Sequence, residues 1–353
     1  MRVLLTAPSS VSRLHGLVPL GWALRTGGHE VQIAGRPRFT AEVNRTGFVA
    51  VAVGKDLPDD AEDWLADPDA AAGLADYARR WKPELVVWEE HAPAGAVAAR
   101  VTGITAVRML GLAPDRARLA ERLEAGLAVH GLSPEESVLT GRATLDRVPP
   151  SLRPEPDTGH VPLRYLPYTG PSVVPSWLRR KPRRQRILLT LAEPAAAPAA
   201  LFDAIAELDA EVICELPAKD VPAGARVPAN LRLFDSVPVN AVLGTCAAVV
   251  HDGSSTTAIT ALAHALPQCV VSTVPEKDGS SLAHRIAGQG AAVLAGRGED
   301  AATFAERIGL ALSDSDVREA VGRLHAEMAA MPSPHELRPE LVKIVTEGTP
   351  TAG

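Results

Sequence analysis

Short apolar runs alternate with helix-like patterns along the first half of the chain. The run RVLLTA at 2–7 has the continuous apolar character of a strand that is buried on both faces. A helix pattern follows and stops at Gly27 and Gly28, because glycine readily adopts the left-handed conformation that ends helices. Further strands are predicted at 30–34, 48–54, 84–90 and 105–110, with a helix over 94–101. Repeated strand–helix units of this kind predict a parallel, doubly wound sheet.

The alternation stops over 145–186 and then begins again. This stretch is rich in proline, which disfavours helices and central strands, and we interpret 168–185 as an interdomain linker. After it, strands are predicted at 186–192, 211–217, 247–253, 268–273 and 291–296, and helices near 199–208 and at 256–265. The pattern therefore predicts an α/β protein with two Rossmann-like domains in series. The carboxyl ends of two such sheets should face a cleft, where open α/β sheets bind ligands.

Composition narrows the class of protein. The chain has 353 residues, of which 46% are hydrophobic and 22% charged, enough for two ordinary cores. The net charge of -6 provides no global basic field for nucleic acid or an anionic membrane. The three cysteines, Cys214, Cys246 and Cys269, lie in apolar stretches without metal-type spacing, which favours buried reduced thiols and a cytoplasmic location. No apolar run approaches the ~18 residues of a membrane span, and the N-terminal run is too short for a signal peptide.

Two further features are assigned no ligand. A basic cluster stands at the end of the linker: Arg179, Arg180, Lys181, Arg183, Arg184 and Arg186. We interpret it as a solvated face rather than a nucleic-acid site, because no aromatic platform accompanies it. No GxGxxG turn follows the first strand and no metal-ligand cluster is visible, so we expect no cofactor and no metal.

The segment AAVVHDGSSTTAITALAHALPQ at 247–268 carries the most specific signal. It resembles, without gaps, the nucleotide-sugar signature of family 1 glycosyltransferases, in the bacterial branch that attaches deoxysugars to polyketides. Four other segments resemble the same family in the same order: 18–31, 83–103, 167–192 and 331–344. The resemblance implies the GT-B architecture, with an interdomain cleft and a C-terminal helix that crosses back onto the first domain. The implied parts are an acceptor-side domain at 1–167, a linker at 168–185, a donor-side domain at 186–330, and the crossing helix and tail at 331–353.

In this family the donor site surrounds a strand-to-helix turn of the second domain, where the helix N-terminus offers free N–H groups to a diphosphate. The candidate donor-side residues implied here are Glu193, Ser236, His251, Asp252, Gly253, Ser254, Ser255, Thr256, Thr257 and Asp278. A structural role for His251 in the turn and a ligand contact both remain open.

Several of these residues depart from the family pattern. Asp252 replaces a phosphate-contacting histidine, Ser236 replaces a base-stacking aromatic residue, and Glu193 replaces a small polar residue. An acid ~4 Å from a diphosphate charge would repel it by on the order of 4 kcal/mol at an effective dielectric of ~20. A helix N-terminus contributes only ~0.3–1 kcal/mol. The resemblance therefore implies a nucleotide-sugar donor, and these replacements predict that it binds weakly.

The catalytic candidates belong to the first domain. The family's general-base histidine corresponds to Arg13, and a guanidinium does not release its proton; His15 lies two residues further on. Glu89, Glu90 and His91 end the fourth predicted strand and offer an acid and a base, unless Glu90 or His91 merely caps the next helix. We place Arg13 and His15 on the loop after the first strand, which should converge with the end of the fourth.

Three functions stay open at this point. The first is transfer of a deoxysugar from a nucleotide-activated donor to a small-molecule natural product. The second is acid–base chemistry on a natural product, such as cyclisation or dehydration, without a nucleotide. The third is a catalytically silent homologue that activates another enzyme. The resemblance favours the first. We expect neither nucleic acid nor a membrane as partner, and a homodimer stays open.

Overall fold

The computed structural model describes residues 1–56, 68–133, 135–153, 159–191, 199–217, 221, 226–271, 281–296 and 298–348. The chain divides into two compact units. Unit 1 comprises Met1–Val148, Pro156–Pro171 and Met331–Gly353, and unit 2 comprises Pro149–Glu155 and Ser172–Ala330. Each described unit is a parallel sheet covered by helices, as the sequence predicts.

Unit 1 contains seven of the described strands: β1 (Arg2–Thr6), β2 (Glu30–Gly35), β3 (Val49–Ala52), β4 (Leu85–Glu89), β5 (Thr105–Met109), β6 (Ala143–Asp146) and β7 (His160–Pro162). Their order is β3-β2-β1-β4-β5-β6-β7, and the described pairings are parallel. The order reverses at β1, which pairs with both β2 and β4. Because parallel strands end at the same edge, the segments after β1, β4, β5 and β6 start from one side of the sheet.

Helices cover both faces of this sheet. In chain order they are α1 (Val11–Thr26), α2 (Thr40–Arg45), α3 (Pro68–Trp81), α4 (Ala94–Thr102), α5 (Arg116–Ala128) and α6 (Glu136–Thr140). Successive strand residues point to opposite faces, so Val87 joins the core with α1 while Trp88 joins the cluster with α4 and α5.

Unit 2 contains six described strands: β8 (Gln185–Thr190), β9 (Ala210–Glu215), β10 (Leu231–Phe234), β11 (Ala248–His251), β12 (Gln268–Val271) and β13 (Ala292–Ala295). Their order is β10-β9-β8-β11-β12-β13, again with parallel pairings. The helices are α7 (Ala199–Glu207), α8 (Val239–Leu243), α9 (Ser255–Ala263), α10 (Leu282–Gly288), α11 (Ala301–Ser313) and α12 (Ser315–Ala330).

The last helix, α13 (Pro334–Gly348), belongs to unit 1. Its Leu337 and Leu341 are buried in the same cluster as Leu17 and Leu24 of α1. The predicted return of the C-terminal helix to the first domain is thus confirmed.

The proline-rich stretch 145–186 differs from expectation. It holds the end of β6 and all of β7, although its proline content argued against strands. β7 is an edge strand that ends at Pro162. Proline is tolerated in an edge strand because the N–H group that it lacks is not needed for pairing with a further strand. The segment interpreted as a linker contains a 3-10 turn at Ser176–Arg179 and reaches Gln185, where β8 already begins.

The cysteines are free, but Cys246 is only partly buried, unlike Cys214 and Cys269. Across the described residues, no helix is long and apolar enough to span a bilayer.

Candidate active site

Glu89 and His91 form a carboxylate–histidine pair at the carboxyl end of β4. Glu89 is the last residue of the strand and its side chain is 1% exposed, whereas that of His91 is 20% exposed. Oε2 of Glu89 accepts the backbone N–H of His91 at 2.7 Å, and Oε1 lies 3.2 Å from Nδ1 of the imidazole. Since an ionised carboxylate only accepts hydrogen bonds, Nδ1 carries the proton in this arrangement, and Nε2 is the basic atom. No described residue forms a hydrogen bond with Nε2.

Glu90 has a different role from its neighbour. Its buried carboxylate accepts the backbone N–H groups of Gly111 at 3.0 Å and Asp115 at 3.1 Å. Both donors lie in the segment between β5 and α5. Glu90 therefore ties two neighbouring segments together at the edge where Glu89 ends. Among the described residues, its side chain forms no hydrogen bond with the imidazole of His91, and it binds the N-cap residue of α5, which favours a structural role.

Arg13 and His15 lie in helix α1, not on a loop as predicted, because the helix already begins at Val11. The ring of His15 contacts Tyr168 edge-on, with 4.9 Å between the centroids. Burial lowers the pKa of His15 from its ordinary value, with Glu42 raising it and Arg45 lowering it to smaller extents.

The predicted convergence of the two candidate groups is only partial. β1 and β4 are neighbours, as expected. However, no hydrogen bond or ion pair among the described residues joins Arg13 or His15 to the Glu89–His91 pair. The structure therefore joins Glu89 and His91 by hydrogen bonds and, among the described residues, joins neither Arg13 nor His15 to them in this way.

A buried arginine that the sequence analysis did not single out also lies at this edge. Arg147 directly follows β6 and is 6% exposed. Its Nη2 donates to the carbonyl oxygen of Leu110 at 3.4 Å, and its Nη1 occupies the space where Gly16 has no side chain. Its position in the sequence could have identified it, because an arginine directly after a buried strand lies at the edge of a parallel sheet where ligands bind.

On the donor side, His251 lies at the start of the strand-to-helix turn. It ends β11 and is fully buried. Nε2 lies 2.9 Å from Oε1 of Gln268 on β12, and Nδ1 accepts the N–H of Gly253 at 3.1 Å. Burial lowers the pKa of His251 to about 4, against the smaller opposing effects of Gln268 and Asp252. Both ring nitrogens therefore contact groups within the protein, which favours the structural alternative.

A tight turn joins His251 to the N-terminus of α9. Gly253 has φ +92°, a conformation that residues with a Cβ rarely adopt. Asp252 folds back on the turn, where Oδ1 accepts the N–H of Ser254 at 3.3 Å. Ser254 is the N-cap residue but makes no side-chain capping bond. The first N–H groups of α9, at Ser255, Thr256 and Thr257, are suited to bind an anion.

The remaining donor-side candidates are placed less fully. Ser236 is exposed and lies shortly before α8, next to the buried Val237. Glu193 and Asp278 lie outside the described residues.

The basic cluster is not a uniform solvated face. Arg186 is buried, and it donates to Oε2 of Glu211 from Nε at 3.1 Å and from Nη2 at 2.9 Å. Its guanidinium also lies over the ring of Trp177, 5.4 Å from the centroid. Arg186 is thus a structural residue, while Arg180 and Lys181 are exposed as predicted.

Two parallel α/β units in series match solved structures of the GT-B class of glycosyltransferases. Comparison with known proteins identifies the family within this class. Residues 60–192 match the N-terminal domain model, and residues 199–344 the C-terminal domain model, of the erythromycin biosynthesis protein CIII-like proteins. The chain belongs to this family.

Relatives of known name match over nearly the whole chain. The aclacinomycin-T 2-deoxy-L-fucose transferase of Streptomyces galilaeus is 33% identical, over 98% of this chain and 97% of its own. The 10-deoxymethynolide desosaminyltransferase of Streptomyces venezuelae is also 33% identical, over 98% of each chain. Among solved structures, the glycosyltransferase VinC in complex with dTDP superposes with a TM-score of 0.88 at 31% identity, covering 98% of this chain and 100% of VinC.

Proposed function

We propose that this protein transfers a deoxysugar from a thymidine diphosphate-activated donor to a hydroxyl group of a polyketide-type small molecule. The observation that carries the proposal is the similarity, over nearly the full length, to enzymes named for this type of transfer. It favours glycosyl transfer over the two alternatives, acid–base chemistry without a nucleotide and a catalytically silent partner. The relatives above are named as sugar transferases, and the Glu89–His91 pair offers a general base.

The proposed chemistry needs a base on the acceptor hydroxyl, and His91 supplies it. Nε2 takes the hydroxyl proton while the oxygen attacks the anomeric carbon of the sugar. A new carbon–oxygen bond forms, the bond from that carbon to the diphosphate oxygen breaks, and the nucleoside diphosphate leaves with the electron pair. Glu89 contributes by holding Nδ1–H, which fixes the ring and stabilises the imidazolium that forms. General-base catalysis of this kind contributes about 10²–10⁴-fold.

The leaving diphosphate is assigned to the N-terminus of α9. The N–H groups of its first turn and the partial positive charge of the helix end suit the anion. Asp252 opposes this binding, because its carboxylate lies on the same turn and holds one N–H group for itself. We therefore expect the proposed donor site to bind a nucleoside diphosphate, but with lower affinity than a site with a neutral or basic residue at position 252.

The test is an assay of product mass. The purified chain is incubated with thymidine diphosphate deoxysugars and polyketide aglycones, and products are analysed by mass spectrometry. We expect an aglycone that gains the mass of one deoxysugar. We also expect His91→Ala to be at least ~100-fold slower, and the exposed-residue control His335→Ala to be unchanged. Conversion of the aglycone without the mass of a sugar would overturn the proposal in favour of acid–base chemistry. The proposal would also be overturned if both the aglycone and the sugar donor stay unchanged in every donor–aglycone combination tested.

A further inference from the structure

The basic cluster at the end of the linker lines a surface pocket of about 630 Å³ in unit 2. Arg186, Glu211 and Arg232 also line it, and each is the second residue of its strand, in β8, β9 and β10 respectively. The pocket therefore lies at the amino ends of parallel strands. His251, the last residue of β11, pairs with Thr190 at the other end of β8. The pocket is thus at the opposite edge of the sheet from the proposed donor turn.

Positive charge dominates the wall of this pocket. Among the described residues that line it, one is acidic, Glu211. Six are basic: Arg180, Lys181, Arg183, Arg184, Arg186 and Arg232. The chain as a whole carries a net charge of -6, so the sign of the charge is reversed locally. A concave site lined by one sign of charge concentrates ions of the other sign, and this pocket should therefore attract anions.

Three of the six cations are already paired with carboxylates. Glu211 accepts hydrogen bonds from Nε and Nη2 of Arg186 at 3.1 and 2.9 Å, and from Nη1 of Arg232 at 3.0 Å. Nε of Arg184 lies 3.1 Å from Oδ1 of Asp209. Burial raises the pKa of Glu211, but the hydrogen bonds from Arg232 and Arg186 outweigh it and lower the pKa overall. The carboxylate of Glu211 is therefore ionised and engaged by these two arginines.

The other three cations, Arg180, Lys181 and Arg183, have no such partner. Within the described ranges none of them forms a hydrogen bond or an ion pair, and all three are exposed. They follow the 3-10 turn at Ser176–Arg179, and the ring of Pro182 between them restricts the backbone. Three cations from four consecutive residues thus line one pocket, and their charge is available to a ligand.

The predicted lack of an aromatic platform beside the basic cluster is wrong. Trp177 and Phe234 stack, with 4.8 Å between the ring centroids and 25° between the planes. The guanidinium groups of Arg186 and Arg232 lie over the ring of Trp177, 5.4 and 5.3 Å from its centroid. These contacts occupy much of the ring surface on which a nucleobase would stack. The arrangement therefore favours a phosphate group over a nucleic-acid strand as the ligand.

We propose that this pocket binds a multiply charged phosphate group, such as a diphosphate or triphosphate, through Arg180, Lys181 and Arg183. Phosphate oxygens accept several charge-assisted hydrogen bonds at once, which suits neighbouring guanidinium and ammonium groups. The site is separate from the donor turn and does not depend on the proposed function. Its ligand is either a free polyphosphate or the headgroup of an anionic lipid, since the exposed Val173 and Val174 stand shortly before the cations.

Binding at this pocket is measured through the indole N–H signal of Trp177 in nitrogen NMR of the full-length protein, with inorganic pyrophosphate as the probe. The chain has five tryptophans, so the signal is assigned by its loss in Trp177→Phe. We expect a saturable shift with pyrophosphate and none with sodium chloride at the same ionic strength. Pyrophosphate bound only at the N-terminus of α9 would lie at the other edge of the sheet and leave this signal in place.

The triple variant Arg180→Gln/Lys181→Gln/Arg183→Gln should weaken the binding of pyrophosphate at least ~10-fold. The three side chains are exposed, so the variant should fold. A charge-matched control removes three exposed arginines of unit 2 that do not line the pocket, and it should change the affinity by less than ~2-fold. The control variant is Arg226→Gln/Arg318→Gln/Arg323→Gln.

The source of the phosphate is identified with phosphatidylcholine vesicles that contain or lack phosphatidic acid. Sedimentation with phosphatidic acid that the pocket variant loses would identify a lipid headgroup, and pyrophosphate binding without sedimentation a free polyphosphate. Absence of a saturable shift with pyrophosphate would overturn the proposal, whichever vesicles bind. If a single-stranded oligonucleotide shifts the signal and pyrophosphate does not, the ligand is a nucleic acid and the proposal is wrong. Equal weakening in the pocket variant and its control would also overturn it.

Discussion

The carboxylate of Glu89 binds His91 at two atoms, its backbone N–H and its ring Nδ1. The first bond fixes the turn in which the imidazole stands, and the second fixes the orientation of the ring. Neighbouring Glu90 faces other partners, the N–H groups of Gly111 and Asp115. Two adjacent acids of one sequence motif therefore have separable roles, and substitutions should separate them.

We expect His91→Ala to lower the rate of sugar transfer by at least ~100-fold, because it removes the base. Glu89→Gln should lower kcat by ~10–100-fold, since an amide has no charge and only one acceptor oxygen for the two bonds to His91. Glu90→Gln should mainly reduce stability, by roughly 1–3 kcal/mol, because a buried acceptor of two backbone donors is weakened. Steady-state kinetics and urea unfolding of the three variants check this. Equal losses of rate in Glu89→Gln and Glu90→Gln would contradict the assignment.

Donor affinity should be weak. We expect a dissociation constant for dTDP above ~100 µM, which is weaker than about −5.5 kcal/mol, because Asp252 adds negative charge to the phosphate-binding turn. Asp252→His should tighten binding by an order of magnitude or more. Calorimetric titration measures both constants, with the exposed Asp203→His of α7 as a control for added basic charge. A low-micromolar constant for the unmodified protein would refute the prediction.

Stability should fall in mild acid through His251. The folded state holds this ring neutral with its pKa lowered to about 4, whereas the unfolded chain protonates it near 6.5. The unfolded state therefore binds more protons between these values, and the contribution of His251 to stability is complete above pH ~6.5 and is lost progressively towards pH ~4. At pH 5 the loss amounts to about 2 kcal/mol.

Urea unfolding at pH 7.5 and pH 5 tests the role of His251. His251→Asn should be less stable at pH 7.5 but should lose about 2 kcal/mol less than the unmodified protein on going to pH 5. His264→Gln serves as the control, since His264 is only partly buried and its Nδ1 lies 2.9 Å from the carbonyl oxygen of Thr260. If His251→Asn loses as much unfolding free energy between pH 7.5 and pH 5 as the unmodified protein, His251 is not the cause of the lower stability in acid.

Gly95 marks a close approach of α4 to the sheet. A Cβ there would collide with Oγ1 of Thr6 and would lie 2.8 Å from Cβ of Trp88. We expect Gly95→Ala to destabilise the protein by ~1–3 kcal/mol. Gly309 of α11 has open space around it, so Gly309→Ala should instead be neutral or stabilising by up to ~1 kcal/mol. Thermal unfolding of the two variants gives the comparison, and similar behaviour of both would refute the packing argument.

The sequence predicts the buried strands well, because residues such as Leu4, Leu5, Val86 and Val87 form continuous apolar runs that only a two-sided parallel sheet can bury. It fails where the signal is short or mixed. β7 contains a proline, and β10 has only four residues with an exposed Arg232 among them. Such strands form because they pair with a neighbouring strand, and the local sequence pattern carries no information about that pairing.

For the site, the sequence identifies Glu89 and His91 as chemically suited neighbours, and their position at the end of a strand was enough to select them. It does not show that Glu90 faces other partners, because the alternation of adjacent side chains breaks down once the strand ends. It also misses Arg147, which lies 58 positions beyond Glu89 and comes to the same edge of the sheet through the order of β4, β5 and β6. Long-range proximity of this kind follows from topology, not from spacing.

The anchoring of the 111–115 turn by Glu90 has a consequence for how the enzyme can be altered. Glu90 recognises this turn through main-chain N–H groups, which every amino acid except proline provides. The side chains at 112–114 can therefore be randomised while the turn keeps its attachment beside the Glu89–His91 pair. A library at these three positions, with Glu90, Gly111 and Asp115 retained, is the natural starting point for directed evolution towards new aglycones.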